Sequence, residues 1–117
     1  MKIEIMFGPL SGEKSTVLAD RVTLGRGVVN DFPFPYAGTV SSRHAEMLHE
    51  NDRYYVLDVG KDGRGSVNGT VVLKKTGERL EIRRGSETPP FPGDRVGIEP
   101  GDIIILGRSI WLKFCGE

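Results

Sequence analysis

SSRHAEMLHE, residues 41–50, decides whether this chain is all-β or mixed. It lies within Thr39–Val59, the longest stretch free of glycine and proline. As a helix, it would be capped by Ser41 or Ser42, whose hydroxyl can accept from the free N–H groups of a first turn. As a strand, Ala45 and Met47 alternate with His44 and Glu46. So short a window does not by itself separate a period of two from one of 3.6. The segments on either side read as strands, and this one is assigned with them.

Outward from that stretch, apolar residues recur with period two in short runs. These are Lys2–Phe7 (Ile3, Ile5 and Phe7 on one face), Ser15–Ala19, Arg21–Leu24, Arg53–Val59 and Gly69–Leu73, then Leu80–Arg83, Asp94–Ile98, Ile103–Leu106 and Ile110–Cys115. Turn-forming sequences separate them: GPLSGEK at 8–14, Gly-Arg-Gly at 25–27, FPFPYAG at 32–38 and KKTGER at 74–79. Many short strands punctuated in this way predict an all-β sandwich or barrel. TPPFP at 88–92 lacks a regular P-x-x-P repeat with flanking basic residues and is expected to be an extended surface loop. No internal repeat or linker divides the 117 residues, so residues 1–117 are expected to form one domain.

Composition narrows the function. Lys and Arg number 16, Asp and Glu 16, for a formal net charge of zero, which argues against a general nucleic-acid or anionic-membrane binder. Ten of the basic residues are arginine, the side chain suited to bidentate contact with phosphate or carboxylate. Gly 16 and Pro 7 leave little room for long helices. The single cysteine, Cys115, rules out an intrachain disulfide and, in the apolar run IWLKFC, reads as a small buried hydrophobe. With no signal-peptide core and no apolar stretch near the ~20 residues of a membrane span, the expected setting is cytoplasmic.

Three separated turns carry the candidate chemistry: Gly25-Arg26, Ser41-Ser42-Arg43-His44, and Gly65-Ser66-Val67-Asn68-Gly69-Thr70. Each lies at a strand end, where loops on a rigid sandwich carry function. Arg26 offers a forked cationic donor, the serines offer hydroxyls, and Asn68 can both donate and accept. Converging donors without matching acceptors suit an anion, with phosphate the natural candidate. Each turn alone is an ordinary motif, and Asn-Gly is the commonest hairpin signal.

The ordered set is more specific. LGR at 24–26, ND at 30–31, VSSRHA at 40–45, LDVG at 57–60, SVNGT at 66–70 and PGDIIILG at 100–107 together resemble a forkhead-associated (FHA) domain, a family that binds phosphothreonine peptides. The resemblance implies a β-sandwich of about eleven short strands, with the peptide held by loops at one end. It implies that Arg26 and Ser41 contact the phosphate, that Ser42 and Arg43 flank it, and that Asn68 bonds the peptide main chain. Gly25, His44, Gly69 and Thr70 would then support the loops rather than touch ligand. The implied partner is a phosphothreonine-containing protein or peptide, with no nucleic acid, membrane, metal or cofactor. Such modules commonly sit beside other domains, so a larger parent protein is also expected.

The match has departures. Ser42 stands where many members carry Arg, Lys or Asn, and Val67 where Thr or Ser is common. The usual second Asn-Gly beyond Thr70 is replaced by LKK, and residues 74–97 are individual to this chain.

Three rival readings have definite tests. A hydrolase triad would need Ser41, His44 and Asp58, but no nucleophile elbow or oxyanion glycine run accompanies them. A metal site would need His44 and His49, whose five-residue spacing points them to opposite faces of a strand. The serious alternative is a phosphate-independent interaction or self-association domain on the same sandwich.

Overall fold

Alternation in the sequence becomes alternation between core and surface. Along β11 (Ile110–Gly116), Ile110, Leu112 and Phe114 are buried, whereas Trp111, Lys113 and Cys115 face outward and are half-buried. On β1 (Lys2–Phe7), Ile3 and Ile5 turn inward against it. These positions are described by the computed structural model of the chain, which covers residues 1–7 and 11–117. Residues 8–10 of the expected first turn, and the facing of the Phe7 side chain, lie outside what is described.

The other strands are β2 (Lys14–Thr16), β3 (Arg21–Gly25), β4 (Phe32–Pro33), β5 (Ala45–Glu50) and β6 (Arg53–Asp58), followed by β7 (Thr70–Leu73), β8 (Arg79–Ile82), β9 (Val96–Ile98) and β10 (Ile103–Leu106). They form two sheets, one ordered β2-β1-β11-β10-β7-β8 and the other β4-β3-β5-β6-β9. Among the described residues there is no helix, and none long and apolar enough to cross a membrane. The fold is an all-β sandwich.

The deciding stretch is a strand. β5 is paired on both sides, with Leu24 opposite Ala45 on one edge and Ala45 opposite Asp58 on the other. That placement satisfies its backbone groups laterally and removes any need for a helix. The inner faces meet in a core of Val22, Leu24, Met47, Val56, Val72, Ile104, Leu106, Leu112 and Phe114, among others. Each large side chain buried there contributes about 1.5–3 kcal/mol.

Four details differ from the sequence expectation. β2 ends at Thr16, opposite Lys2, and only Val17 extends the pairing, exchanging hydrogen bonds of 2.8 and 2.7 Å with Met1 at the chain start; Leu18 then projects into solvent at 95% exposure. The connector FPFPYAG contains a strand of its own: Phe32 and Pro33 run parallel to β3 at the sheet edge, where a missing N–H is tolerated. Phe34, from the same connector, enters the core. Finally, Cys115 is not a core residue, since it shares the outward face of β11 with Trp111 and Lys113; its thiol lies 3.6 Å from the Lys113 carbonyl.

Candidate functional site

Four connections meet at one end of the sandwich: β3–β4 (26–31), β4–β5 (34–44), β6–β7 (59–69) and the β10–β11 turn (107–109). The first two zip together through their backbones. Arg26 N–H donates to the Ser41 carbonyl and Gly27 N–H to the Ser42 carbonyl, each at 2.9 Å. Asn30 locks this seam by donating its amide to both Gly27 O and Ser42 O at 2.7 Å. Gly25 is required beside it, because a Cβ there would lie 2.5 Å from Ser42 O.

His44 ties the β4–β5 loop to the β6–β7 loop. Its Nδ1 accepts from Ser41 N–H at 3.0 Å, so the proton sits on Nε2, which donates to the Gly69 carbonyl at 2.8 Å. The ring is fully buried and neutral: burial pushes its pKa below the ordinary value, against the opposing pull of Gly69 O and of Asp58 at 3.9 Å. Gly69 O also accepts from Gly107 N–H at 3.0 Å, which brings in the β10–β11 turn. Gly69 itself adopts φ 81°, a region that favours glycine.

Asp58 shapes the β6–β7 loop from beneath. One carboxylate oxygen accepts from Ser66 N–H at 2.6 Å; the other accepts the hydroxyls of Ser66 at 2.5 Å and Thr70 at 2.6 Å. The proline-rich segment adds a strut. Gly93 N–H donates to Asp58 O at 2.7 Å, and Pro92 packs so closely on Gly65 that a Cβ there would come within 2.7 Å. The individual region 74–97 thus braces the β6–β7 loop.

On this scaffold the polar groups of the sequence motif come together. The Ser41 hydroxyl accepts from Val67 N–H at 3.1 Å and keeps its own proton to donate. Asn68 Nδ2 donates to Thr39 O at 2.9 Å, two residues from Ser41. Arg26 is exposed and held by one bond, Nε–H to Val40 O at 3.1 Å. Among the described residues it pairs with no carboxylate, so its guanidinium charge is left without an ionic partner. Ser42 lies half-buried in the seam. Arg43 runs the other way, to buried Glu46 at 2.9 Å, which Arg21 also bonds.

The rival constellations take other forms. Both His44 nitrogens are committed to backbone groups and the Asp58 carboxylate to Ser66 and Thr70, so no imidazole addresses the Ser41 hydroxyl. His49 stacks on Tyr54 with ring centroids 4.3 Å apart, away from buried His44.

Sequence reasoning missed Arg108 altogether. It sits at φ 68° in the β10–β11 turn and donates from Nη2 to Asn68 Oδ1 at 2.8 Å, orienting that amide. The motif pattern stops at residue 107, so only the convergence of turns reveals it. Asn30 and Ser66 were visible within motifs, but nothing local marks them as seam and prop.

A family model for the FHA domain matches residues 22–107. The chain belongs to the FHA family. Solved structures agree in fold. The Slr1951 protein from Synechocystis sp. is 20% identical with a TM-score of 0.70, covering 99% of this chain and 94% of its own. The FhaA FHA domain, complexed with the intracellular domain of Rv3910, is 21% identical at 0.63, covering 96% of each chain. An FHA domain from a structural and functional analysis of phosphothreonine-dependent FHA domain interactions is 21% identical at 0.64, covering 99% of this chain and 97% of its own. No curated protein sequence matches. The loops of this FHA domain meet at one end, and the motif residues sit on them.

Proposed function

We propose that this FHA domain is a single phosphopeptide-binding module that recruits phosphothreonine-bearing partner proteins in cytoplasmic signalling and performs no chemistry itself. The observation that carries the reading is Arg26: a charged fork without a carboxylate partner among the described residues, beside a hydroxyl and an amide fixed by the same loop network. Phosphothreonine brings about −1.5 to −2 charges and three acceptor oxygens. Arg26 and the Ser41 hydroxyl supply donors for them, with Ser42 at the margin. Asn68, oriented by Arg108, is left to bond the peptide main chain. Arg43 contributes field rather than contact, since Glu46 holds it. FHA domains are established examples of phospho-motif recognition through arginine.

The test compares a phosphothreonine peptide pool with its unphosphorylated and phosphoserine counterparts by calorimetry. Binding confined to the phosphothreonine pool, and lost in Arg26→Ala with the melting temperature unchanged, is the expected result. Equal binding of phosphorylated and unphosphorylated pools would replace this reading with a phosphate-independent interaction domain.

A further inference from the structure

Beside Asn68 the surface opens into a groove of about 400 Å³, and its lining includes Asn68, Arg83, Arg84, Gly85, Ser86 and Arg108. Three of these six are arginines, drawn from two connections that sequence separates: Arg83 and Arg84 follow β8, and Arg108 tips the β10–β11 turn. Two acidic side chains temper them. Arg83 lies 3.3 Å from Glu81, which also lines the groove, and Arg84 lies 2.8 Å from Asp62. Arg108 has no carboxylate among the described residues; its one bond is to the neutral Asn68 amide. The groove therefore holds a net positive charge, and its cation nearest the Asn68 amide is unneutralised.

We propose that this groove is a second anion-binding station, continuous with the phosphate site, that takes an acidic side chain of the bound phosphopeptide. The inference rests on the phosphopeptide reading above and adds to it a substrate class: phosphothreonine accompanied by a nearby Asp or Glu. The chemistry follows from the donors. Arginine forks match a carboxylate bidentately. Arg83 and Arg84 belong to the 74–97 region individual to this chain, so the preference is a property of this domain and not of its motif. All three arginines are exposed, so the effect is moderate and salt-sensitive.

Fluorescence anisotropy on the whole chain tests it. The probes are a phosphothreonine peptide with neutral flanks and a set in which one glutamate replaces alanine at each flanking position in turn. The readout is the ratio of acidic to neutral affinity, which any general disturbance of Asn68 would leave unchanged by lowering both. One position is expected to gain about two- to fivefold at low salt, the range of an exposed ion pair. That gain should vanish in Arg108→Gln and in the Arg83→Gln, Arg84→Gln double variant, and Arg108→Glu should prefer lysine at the same position. No gain at any position, or a gain that survives these variants, overturns the inference while leaving the phosphate site standing. A neutral-flanked peptide that binds no better than its unphosphorylated twin overturns both.

Discussion

β7 and β10 lie side by side, with Thr70 opposite Leu106 at one end and Leu73 opposite Ile103 at the other. A fully buried aspartate serves each end. Asp58, at the loop end, accepts only from neutral donors among the described residues: Ser66 N–H and the Ser66 and Thr70 hydroxyls. Asp102, at the far end, bonds the Lys74 ammonium as well as the N–H groups of Lys75 and Glu99. Burial alone would raise the Asp102 carboxyl, but these partners outweigh it and hold the group below the usual carboxylate range. The far end thus neutralises its cation inside the fold, whereas the loop end is built without one and leaves Arg26 uncommitted at its surface. The same side chain makes a clamp in one place and a shaped support in the other.

This contrast can be broken by substitution. The largest expected effect is at the far end: Lys74→Ala strands a buried carboxylate and should cost about 3–5 kcal/mol in urea unfolding, with phosphopeptide affinity unchanged in whatever fraction remains folded. Arg26→Ala is its mirror image, weakening phosphopeptide binding by about a hundredfold, as expected for losing charged bonds worth about 1.5–3 kcal/mol each, with no loss of stability. Ser66→Ala should move both quantities together, costing about 2 kcal/mol of stability and weakening binding, because the hydroxyl that satisfies Asp58 also sets the loop carrying Asn68. Stability falling without any change in affinity would mean that the two ends do not differ as described.

The smallest effect is titration, and it separates the ends by pH. His44 has a folded-state pKa below its unfolded value near 6.5, so the unfolded chain binds more protons and stability falls as pH drops below about 6.5. The slope is at most about 1.4 kcal/mol per pH unit for this one group. Asp102 carries the same proton balance in a lower window: its folded pKa also lies below its unfolded value, so its contribution is intact above about pH 4 and is lost only below. Unfolding measured from pH 7.5 to 5.5 should therefore show the His44 slope with Asp102 silent. A His44→Gln variant should lose that slope; if the slope persists, His44 is not its source.

The sequence made much of this legible, and the limits have physical causes. Period-two alternation located strands such as β3, β9 and β11 because each has one face on the core, whereas the two-residue β4 is too short to show a period. The motif order located Arg26, Ser41, His44 and Asn68 because their spacing is set by loops that must meet. What stayed hidden depends on partners distant in sequence. Asn51 and Asp52 both adopt positive φ, at 54° and 61°, and form the two-residue turn of the β5–β6 hairpin, a pairing of polar residues that passes for ordinary loop. Cys115 looked apolar by its neighbours although strand parity turns it outward. Arg43 stood inside the motif, yet its guanidinium is bonded to Glu46, three residues on. Arg108 and the bracing Pro92 came from turns with no local mark of function.

The carbonyl of Gly69 receives Nε2–H from His44 on one sheet's loop and N–H from Gly107 on the other's. Three connections are thereby fastened to one another, and the backbone bonds to Ser41 O and Ser42 O add the β3–β4 connection, before any ligand arrives. An incoming peptide meets a receptor with little freedom left to surrender, so the entropy of ordering on binding falls almost wholly on the partner chain. The affinity of this FHA domain is then governed by how stiff its target segment is, as much as by the contacts the domain itself supplies.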